Sequence, residues 1–434
     1  MILLLFIILL LSFSASGLEE PAPRGAVVLI VDGLGSSYVY PEHRAYTLDG
    51  RGLEGTTLYN LTGDGARVQD IRAPAPVTGE GHSVLVTGFS RADEQTVGLP
   101  GATIFDLARS GGYLCLAILQ RGDSMEMLLE QDGVLYFDDN SIPGQGPVLG
   151  SRSGLPEDVR SLLQEYRDAF SNYQSPDRST ACAEYDRWGL EAAADLVRHL
   201  DRPFLLLVNV GAVDSGGHQG GWDDYHKIVA ALDRPLGNLR AACQEKDVLL
   251  VVTADHGMAF SGGRGGHATG RYPERLESRR IPASFSGPGV DDLILGGVWS
   301  QADVAPTVLG LLGLPANLTL ADGVAMPLAD RCQLLVRLAS PGEVEVLFDG
   351  AEVARSAGSR EHSFRLERGL YQVRAMEQTD RIYPVSLSRD TVLDLRPEAP
   401  AALDLRRPLG WLLILAINLT GMALIIRIWK GPFR

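Results

Sequence analysis

At 434 residues the chain is longer than one ordinary domain, so two or more are expected, and its 45% hydrophobic content is that of a globular protein with membrane segments added. A formal charge of −15, with lysine only at Lys227, Lys246 and Lys430, excludes nucleic acid as a main partner, because phosphate-backbone binding runs on clustered Lys and Arg. Four cysteines, Cys115, Cys182, Cys243 and Cys332, stand far apart without metal-binding spacing; outside the cell they could pair in three ways, although Cys115 within YLCLAIL reads as a buried thiol.

Residues 2–13, ILLLFIILLLSF, precede the small-residue stretch Ser14-Ala15-Ser16-Gly17. That is the length of a signal-peptide core and short for a bilayer span, so 1–17 is predicted to be a signal peptide, with an uncleaved anchor as the alternative because no Lys or Arg precedes it. AVVLIVD at 26–32 reads as a strand buried on both faces that ends in Asp32, and DGLG makes the turn beyond. The stretch APAPVTGEGHSVLVTG presents Thr78 in a glycine-rich turn before an apolar segment. TIFDLARS (103–110) fits a short helix stopped by Gly111-Gly112, and YLCLAIL and VLYF supply further strands.

Between Pro156 and Tyr173, apolar residues at Val159, Leu162, Leu163, Tyr166 and Phe170 mark one helical face; a second helix is predicted over Leu190–Leu200. The strand FLLLVNV (204–210) leads into GAVDSGGHQGG, which sets Asp214 and His218 just past its end. Helical spacing continues through Tyr225, Ile228, Leu232, Leu236 and Leu239, where Pro235 must kink or divide the helix, and Asp223 and Asp224 suit a helix start. The run VLLVVT then stops at Asp255-His256-Gly257, and the loop SGGRGG delivers His267 eleven positions after His256. IPASFSGPGV (a strand with a turn) and QADVAPTVLGLLGLP (a helix) close the domain. Buried strands alternating with amphipathic helices over 25–330 predict a doubly wound, mostly parallel α/β domain.

After Cys332 the pattern changes to short strands separated by turn residues, from LLVRL to TVLDL, which predicts a β-sandwich over 332–398. FDG and LERGxYxV in that stretch resemble PEGA-like and immunoglobulin-like spacer modules, implying a structural role. GWLLILAINLTGMALIIRIW (410–429) is long enough to span a bilayer and is bracketed by Arg406-Arg407 and Lys430-Arg434. A transmembrane helix over 409–429, a short cytoplasmic tail at 430–434 and an extracytoplasmic remainder are the expectation. Two glycosylation sequons, Asn60-Leu61-Thr62 and Asn317-Leu318-Thr319, accord with export.

Three strands thus end in acids, Asp32, Asp214 and Asp255, with His218, His256, His267 and Thr78 nearby. In open α/β sheets ligands bind beyond the carboxyl ends of the strands. A phosphoryl-transfer site with two divalent metals needs carboxylate and imidazole ligands for each ion and a nucleophile that one ion can deprotonate, and these seven residues supply that set. Asp214 and His218 read instead as helix caps if taken alone, but their four-residue spacing lets both reach one ion.

VVLIVDGLG, PVTGEGH, VDSGGHQG, LLVVTADHGM, GGH and DVAPTVLGLLGLP, in this order, resemble the alkaline phosphatase superfamily, in the group containing type I phosphodiesterases and nucleotide pyrophosphatases. The resemblance implies that Asp214, His218 and His267 hold one metal and that Asp32, Asp255, His256 and Thr78 hold the other. Zinc is the expected ion, with manganese as the other candidate. It implies that Thr78 attacks phosphorus and that the substrate is a phosphate ester. Some phosphodiesterase relatives carry Thr-x-x-Asn, whereas Gly81 stands at that offset here; the spacing from Thr78 to His82 and the short gap from His256 to His267 are similar to cofactor-independent phosphomutases. Sulfatases of the superfamily need a modifiable Cys or Ser in a CxPxR-like context, which PVTGEG lacks.

The functional expectation is a membrane-anchored, metal-dependent phosphoesterase. A phospho-alcohol transferase acting on lipid or surface glycan and a non-catalytic surface protein on the same fold are the alternatives. Ser83 and Thr87 are the other hydroxyls that could serve as nucleophile, and Arg72 and Arg264 could bind substrate phosphate. His82 is expected in the core or behind the ligands, and His43, His199, His226 and His362 at the surface.

Overall fold

Strands of near-continuous aliphatic residues must be covered on both faces, and in the computed structural model they form the centre of a sheet flanked by helices. The structure describes residues 23–120, 124–137, 146–152, 154–328, 331–367, 369–376, 380–387 and 391–396. The expected signal segment 1–17 and the expected span 409–429 with its tail lie outside these residues, and no helix among the described residues is long and apolar enough to cross a membrane.

Ten strands share the main sheet: β1 (Gly25–Val31), β2 (Ala66–Arg72), β3 (Leu114–Leu119), β4 (Gly133–Tyr136), β5 (Val148–Ser151), β6 (Phe204–Val210), β7 (Leu249–Thr253), β8 (Arg280–Ile281), β9 (Ala283–Ser286) and β10 (Leu293–Ser300). Their order is β8-β2-β9-β7-β1-β6-β3-β4-β5, with β10 beside β2. The run β7-β1-β6-β3-β4 is parallel, while β9 and β5 pair antiparallel on either side of it. The expected parallel core is therefore present inside a mixed sheet. Val31 lies beside Val210 and Ile30 beside Thr253, so the chain leaves β1, β6 and β7 at one level of one sheet edge.

The principal helices are α1 (Thr78–Thr87), α2 (Ile104–Ser110), α3 (Glu157–Ala169), α4 (Arg178–His199), α5 (Ala212–Ala231), α6 (Asp233–Glu245) and α7 (Val304–Leu311). Thr103 and Asp106 form a capping box at the start of α2. The predicted helix at Leu190 begins twelve residues earlier, at Arg178, and runs through Gly189, where a Cβ would meet Gln120 Nε2 at 2.6 Å. Pro235 does divide its stretch and sits in the first turn of α6, where a missing N–H leaves no helical bond unmade. The sharper break is in α5 at Gly221, with φ of +73° and its Cβ position only 1.7 Å from the Gly263 carbonyl oxygen, so only glycine fits. Cys115 is buried on β3, its Sγ donating to the Phe105 carbonyl at 3.6 Å, and burial pushes the thiol up to about 12.

Among the described residues the chain divides into two compact units, one running to Leu334 with Ser363–Tyr371 and Ser386–Thr391 added, the other taking Leu335–His362, Gln372–Val385 and the residues from Val392. The carboxyl-terminal strands are β11 (Arg331–Phe348), β12 (Ala351–Glu367), β13 (Gly369–Met376), β14 (Asp380–Leu387) and β15 (Thr391–Asp394). They form one five-stranded sheet, ordered β12-β11-β13-β14 with β15 beside β11, where a two-sheet sandwich was expected. The reason lies at Ser340-Pro341-Gly342, which reads as a turn but stays inside the single strand β11, so two short predicted strands are one long one. His362, expected at the surface, is buried because it takes an inward slot of the alternation His362, Phe364, Leu366 on β12. His43 is half-buried, with Nε2 2.7 Å from the Gln69 carbonyl oxygen.

Candidate active site

The three acids are held by one another's backbones. Asp32 follows β1 directly and its N–H donates to the Val210 carbonyl at 2.9 Å, while the Asp214 N–H donates to the Asp32 carbonyl at 3.1 Å. Gly33 (φ +79°) turns the chain so closely over Asp214 that an added Cβ would stand 2.9 Å from the Asp214 Cβ. The Gly33 N–H donates to Asp255 Oδ1 at 3.0 Å, and His256 donates its own N–H to the same oxygen at 2.8 Å. Asp255 Oδ2 is thereby left facing His256 Nε2 at 3.3 Å. Asp32, Asp255 and His256 are fully buried, Asp214 and His267 nearly so, and His218 and Thr78 lie at the partly exposed side, where the site opens.

Each imidazole is fixed by a main-chain carbonyl. Nδ1 of His218 lies 3.2 Å from Gly265 O, Nδ1 of His256 2.9 Å from Gly257 O, and Nδ1 of His267 2.7 Å from Pro76 O. A carbonyl oxygen only accepts, so in all three rings Nδ1 carries a proton and Nε2 is the atom left to coordinate a metal. Those Nε2 atoms converge. Nε2 of His218 and His267 are 3.0 Å apart, and lie 3.2 and 3.5 Å from Asp214 Oδ1. His256 Nε2 lies 3.4 Å from Asp32 Oδ1 and 3.1 Å from Thr78 Oγ1. The His256 and His267 rings stack at 3.6 Å, and burial, then the neighbouring His256, pushes His267 down to about 4, which keeps it neutral at pH 7.

Two imidazole Nε2 atoms 3.0 Å apart beside a buried carboxylate, each ring anchored through Nδ1, form a donor set that suits divalent metals. Asp214, His218 and His267 form one group with mutually close ligand atoms, and Asp32, Asp214 and His256 form a second. All seven predicted residues are therefore brought together, and Asp214 adjoins both groups where the sequence reading gave it to one.

The other candidate hydroxyls are turned away. Ser83 Oγ donates to the Gly79 carbonyl at 2.7 Å and Thr87 Oγ1 to the Ser83 carbonyl at 2.7 Å, both back into α1. Arg72 pairs with Asp70 at 2.8 Å, and Arg264 is exposed on the hairpin formed by Ala259–Ser261 and Arg264–Gly266. Gly81, which stands where some relatives carry an amide, has no room for a side chain: a Cβ would lie 2.6 Å from the Asp255 carbonyl oxygen. His82 lies behind the ligands, its Nε2 3.1 Å from Asn209 Nδ2 and 3.7 Å from Asp255 Oδ2. Gln301 escaped the sequence reading. Its Nε2 donates to the carbonyls of Ala254 and Asp255 at 3.0 and 2.7 Å, pinning the end of β7, and no motif marks a helix-start glutamine for that role.

The family model for type I phosphodiesterase / nucleotide pyrophosphatase matches residues 151–274, a stretch that holds Asp214, His218, Asp255, His256 and His267 but not Asp32 or Thr78. A 2,3-bisphosphoglycerate-independent phosphoglycerate mutase from Myxococcus xanthus (strain DK1622) is 28% identical over 288 residues, covering 59% of this chain and 51% of the mutase. The enzyme of the same name from Acinetobacter baylyi is 32% identical over 143 residues, covering 32% of this chain and 27% of that one. The matched part thus spans about half of the first of these relatives and about a quarter of the second. Among solved structures, wild-type alkaline phosphatase PafA superposes with a TM-score of 0.52 at 13% identity, over 71% of this chain and 99% of that one. A sulfatase from Pseudoalteromonas sp. gives a TM-score of 0.50 at 16% identity, over 82% of this chain and 84% of the sulfatase. At these identities the likeness to the two structures is one of fold.

Proposed function

We propose that this chain, which belongs to the alkaline phosphatase superfamily, is a metal-dependent phosphoesterase with Thr78 as its nucleophile. The observation that carries the reading is the convergence of three imidazole Nε2 atoms and three buried carboxylates on one space beside Thr78 Oγ1. Asp214, His218 and His267 would hold one divalent ion, and Asp32, Asp255, His256 and the Thr78 oxygen the other, with zinc expected and manganese the second candidate. Bound there, such ions lower the pKa of a hydroxyl and offset charge on phosphoryl oxygens.

Thr78 is the first residue of α1, where first-turn amides have no helical acceptor and can meet a phosphoryl oxygen. Its Oγ1 gives up its proton and attacks phosphorus, the bond to the departing oxygen breaks, that oxygen takes up a proton and leaves as the alcohol, and a phosphothreonine results. Water then attacks the same phosphorus, the Thr78 oxygen–phosphorus bond breaks, and the threonine is restored. Asp255, fixed by two N–H donors, and His256 and His267, fixed by carbonyls, need no rearrangement during these steps.

The purified protein should hydrolyse an aryl phosphodiester or monoester, lose activity to a chelator and regain it with zinc or manganese. Thr78→Ala should keep its fold and lose turnover by several orders of magnitude. Two metals per chain are expected by elemental analysis; a metal-free chain with full activity would end the proposal. A second reading, transfer of the phosphoryl group to another alcohol, is favoured by the similarity to phosphoglycerate mutases. Product analysis with an acceptor alcohol present separates the two, since water as sole acceptor removes transfer.

The apolar segments 2–13 and 410–429 support an extracytoplasmic site on a membrane tether. Protease treatment of intact cells should then degrade the site-bearing unit, and a chain found wholly in the soluble cell fraction would remove this part of the reading.

A further inference from the structure

Asp214 and His218 both stand on the short stretch of α5 that precedes the break at Gly221. That stretch begins at Gly211, whose lack of a side chain leaves the helix without a cap of its own. The missing acceptor comes from another helix. Asp186, in the middle of α4 and 1% exposed, accepts the Ala212 N–H on Oδ1 at 3.1 Å. The neighbouring Gly211 N–H donates to Gln120 Oε1 at 3.3 Å. Gln120 is in turn locked to α4, donating from Nε2 to the Tyr185 carbonyl at 2.7 Å and accepting the Tyr185 hydroxyl on its own carbonyl at 3.0 Å. At the far end, Gly221 seats the break against the Gly263 carbonyl. The ligand-bearing stretch is thus clamped at both ends, and its first clamp is a buried carboxyl far from the site in sequence.

We propose that Asp186 is a positioning residue for the Asp214 and His218 half of the metal centre, capping from α4 the helix that carries both ligands. The inference rests on the dinuclear reading above. Asp186 is buried, and burial pushes the group up to about 8 against the opposing pull of the Ala212 and Gly211 amides, so it holds a proton at neutral pH. What the helix needs from it is the acceptor on Oδ1. An asparagine supplies that acceptor in the same place; a leucine of similar bulk does not.

The test uses the full chain loaded with zinc and measures zinc retained per chain against graded chelator, with a thermal melt as the folding control. Asp186→Leu should release one of two ions at chelator strength roughly five- to tenfold lower than the wild type, the loss expected of a missing helix cap. Asp186→Asn should follow the wild type. Superposed curves for the folded Leu variant and the wild type, or an Asn variant that fails as the Leu variant does, would overturn the role. If the Leu variant does not fold, Asp186→Ala, which also lacks the acceptor, takes its place: early release beside an Asn variant that follows the wild type supports the acceptor role, and retention at wild-type strength overturns it. A wild type that retains no zinc refutes the dinuclear reading itself, whereas two ions held with indifference to position 186 refutes only this inference.

Discussion

Replacing Gly81 by alanine sets helix propensity directly against packing. Gly81 lies in the first turns of α1, four residues before Leu85, and alanine in a helix is favoured over glycine by about 1 kcal/mol. The added methyl, however, would stand 2.6 Å from the Asp255 carbonyl oxygen, 2.9 Å from the Asp255 Cβ and 3.0 Å from its carbonyl carbon. Ordinary contact begins at 3.4 Å, so α1 and the end of β7 must separate by several tenths of an ångström, and none of the three atoms is the tip of a flexible chain. Gln301, which holds the same carbonyl at 2.7 Å, resists that movement. Overpacking of this kind costs about 1–3 kcal/mol against that gain of about 1, so a net loss of up to about 2 kcal/mol is expected. The same displacement parts Thr78 from Asp255 and His256, and a shift approaching 1 Å at a reacting group costs up to ~100-fold, so kcat/KM should fall between about tenfold and 100-fold.

Gly79→Ala is the control, because its Cβ would meet only the end of the Glu94 side chain at 2.9 Å, which can swing away. Chemical denaturation of both variants and steady-state hydrolysis by Gly81→Ala make the comparison. If Gly81→Ala were as stable as Gly79→Ala and fully active, the packing of α1 against β7 would not be what holds the site.

Two further predictions concern pH. His267 has its folded pKa pushed from 6.5 down to about 4 by burial, so between those values the unfolded chain binds a proton that the folded chain refuses, and stability rises with pH through that window. Metal-free wild type should therefore gain on His267→Gln as pH rises from about 4 to 6.5, by at most ~1.4 kcal/mol per unit, in paired urea titrations. Parallel curves would show that the ring is not held neutral. Asp186 has the opposite sign: its folded pKa is raised from 3.8 to about 8, so its stabilising contribution is complete below 3.8 and declines up to about 8. Asp186→Asn lacks that decline and should gain on the wild type over the same range, and a difference independent of pH would mean that Asp186 is ionised in the fold.

The strand ends were legible because a strand buried on both faces must be a continuous apolar run, and an acid that stops such a run marks where the sheet opens. Asp32, Asp214 and Asp255 were found this way, and His267 because a glycine-rich loop separates it from His256 by only eleven positions. Asp186 was not legible. A lone aspartate within a helical stretch reads as part of a solvated face, and only the arrival of Gly211 and Ala212 above it shows that it is buried and why. The one-sheet arrangement of β11–β15 was missed for a related reason, since strand pairing decides whether Ser340-Pro341-Gly342 turns the chain or is carried through it.

What the sequence by itself determined is the inventory: an α/β domain with a parallel core, the strands that end in acids, and the seven side chains that gather beyond them, which follow from local patterns of polarity and glycine. Tertiary structure decided which of them face one another. The ring protons of three histidines are assigned by carbonyls of Gly257, Gly265 and Pro76, and two of these belong to segments remote from the ring they hold. A lone pair's direction depends on where the rest of the chain places its hydrogen-bond partner, and no local pattern encodes that.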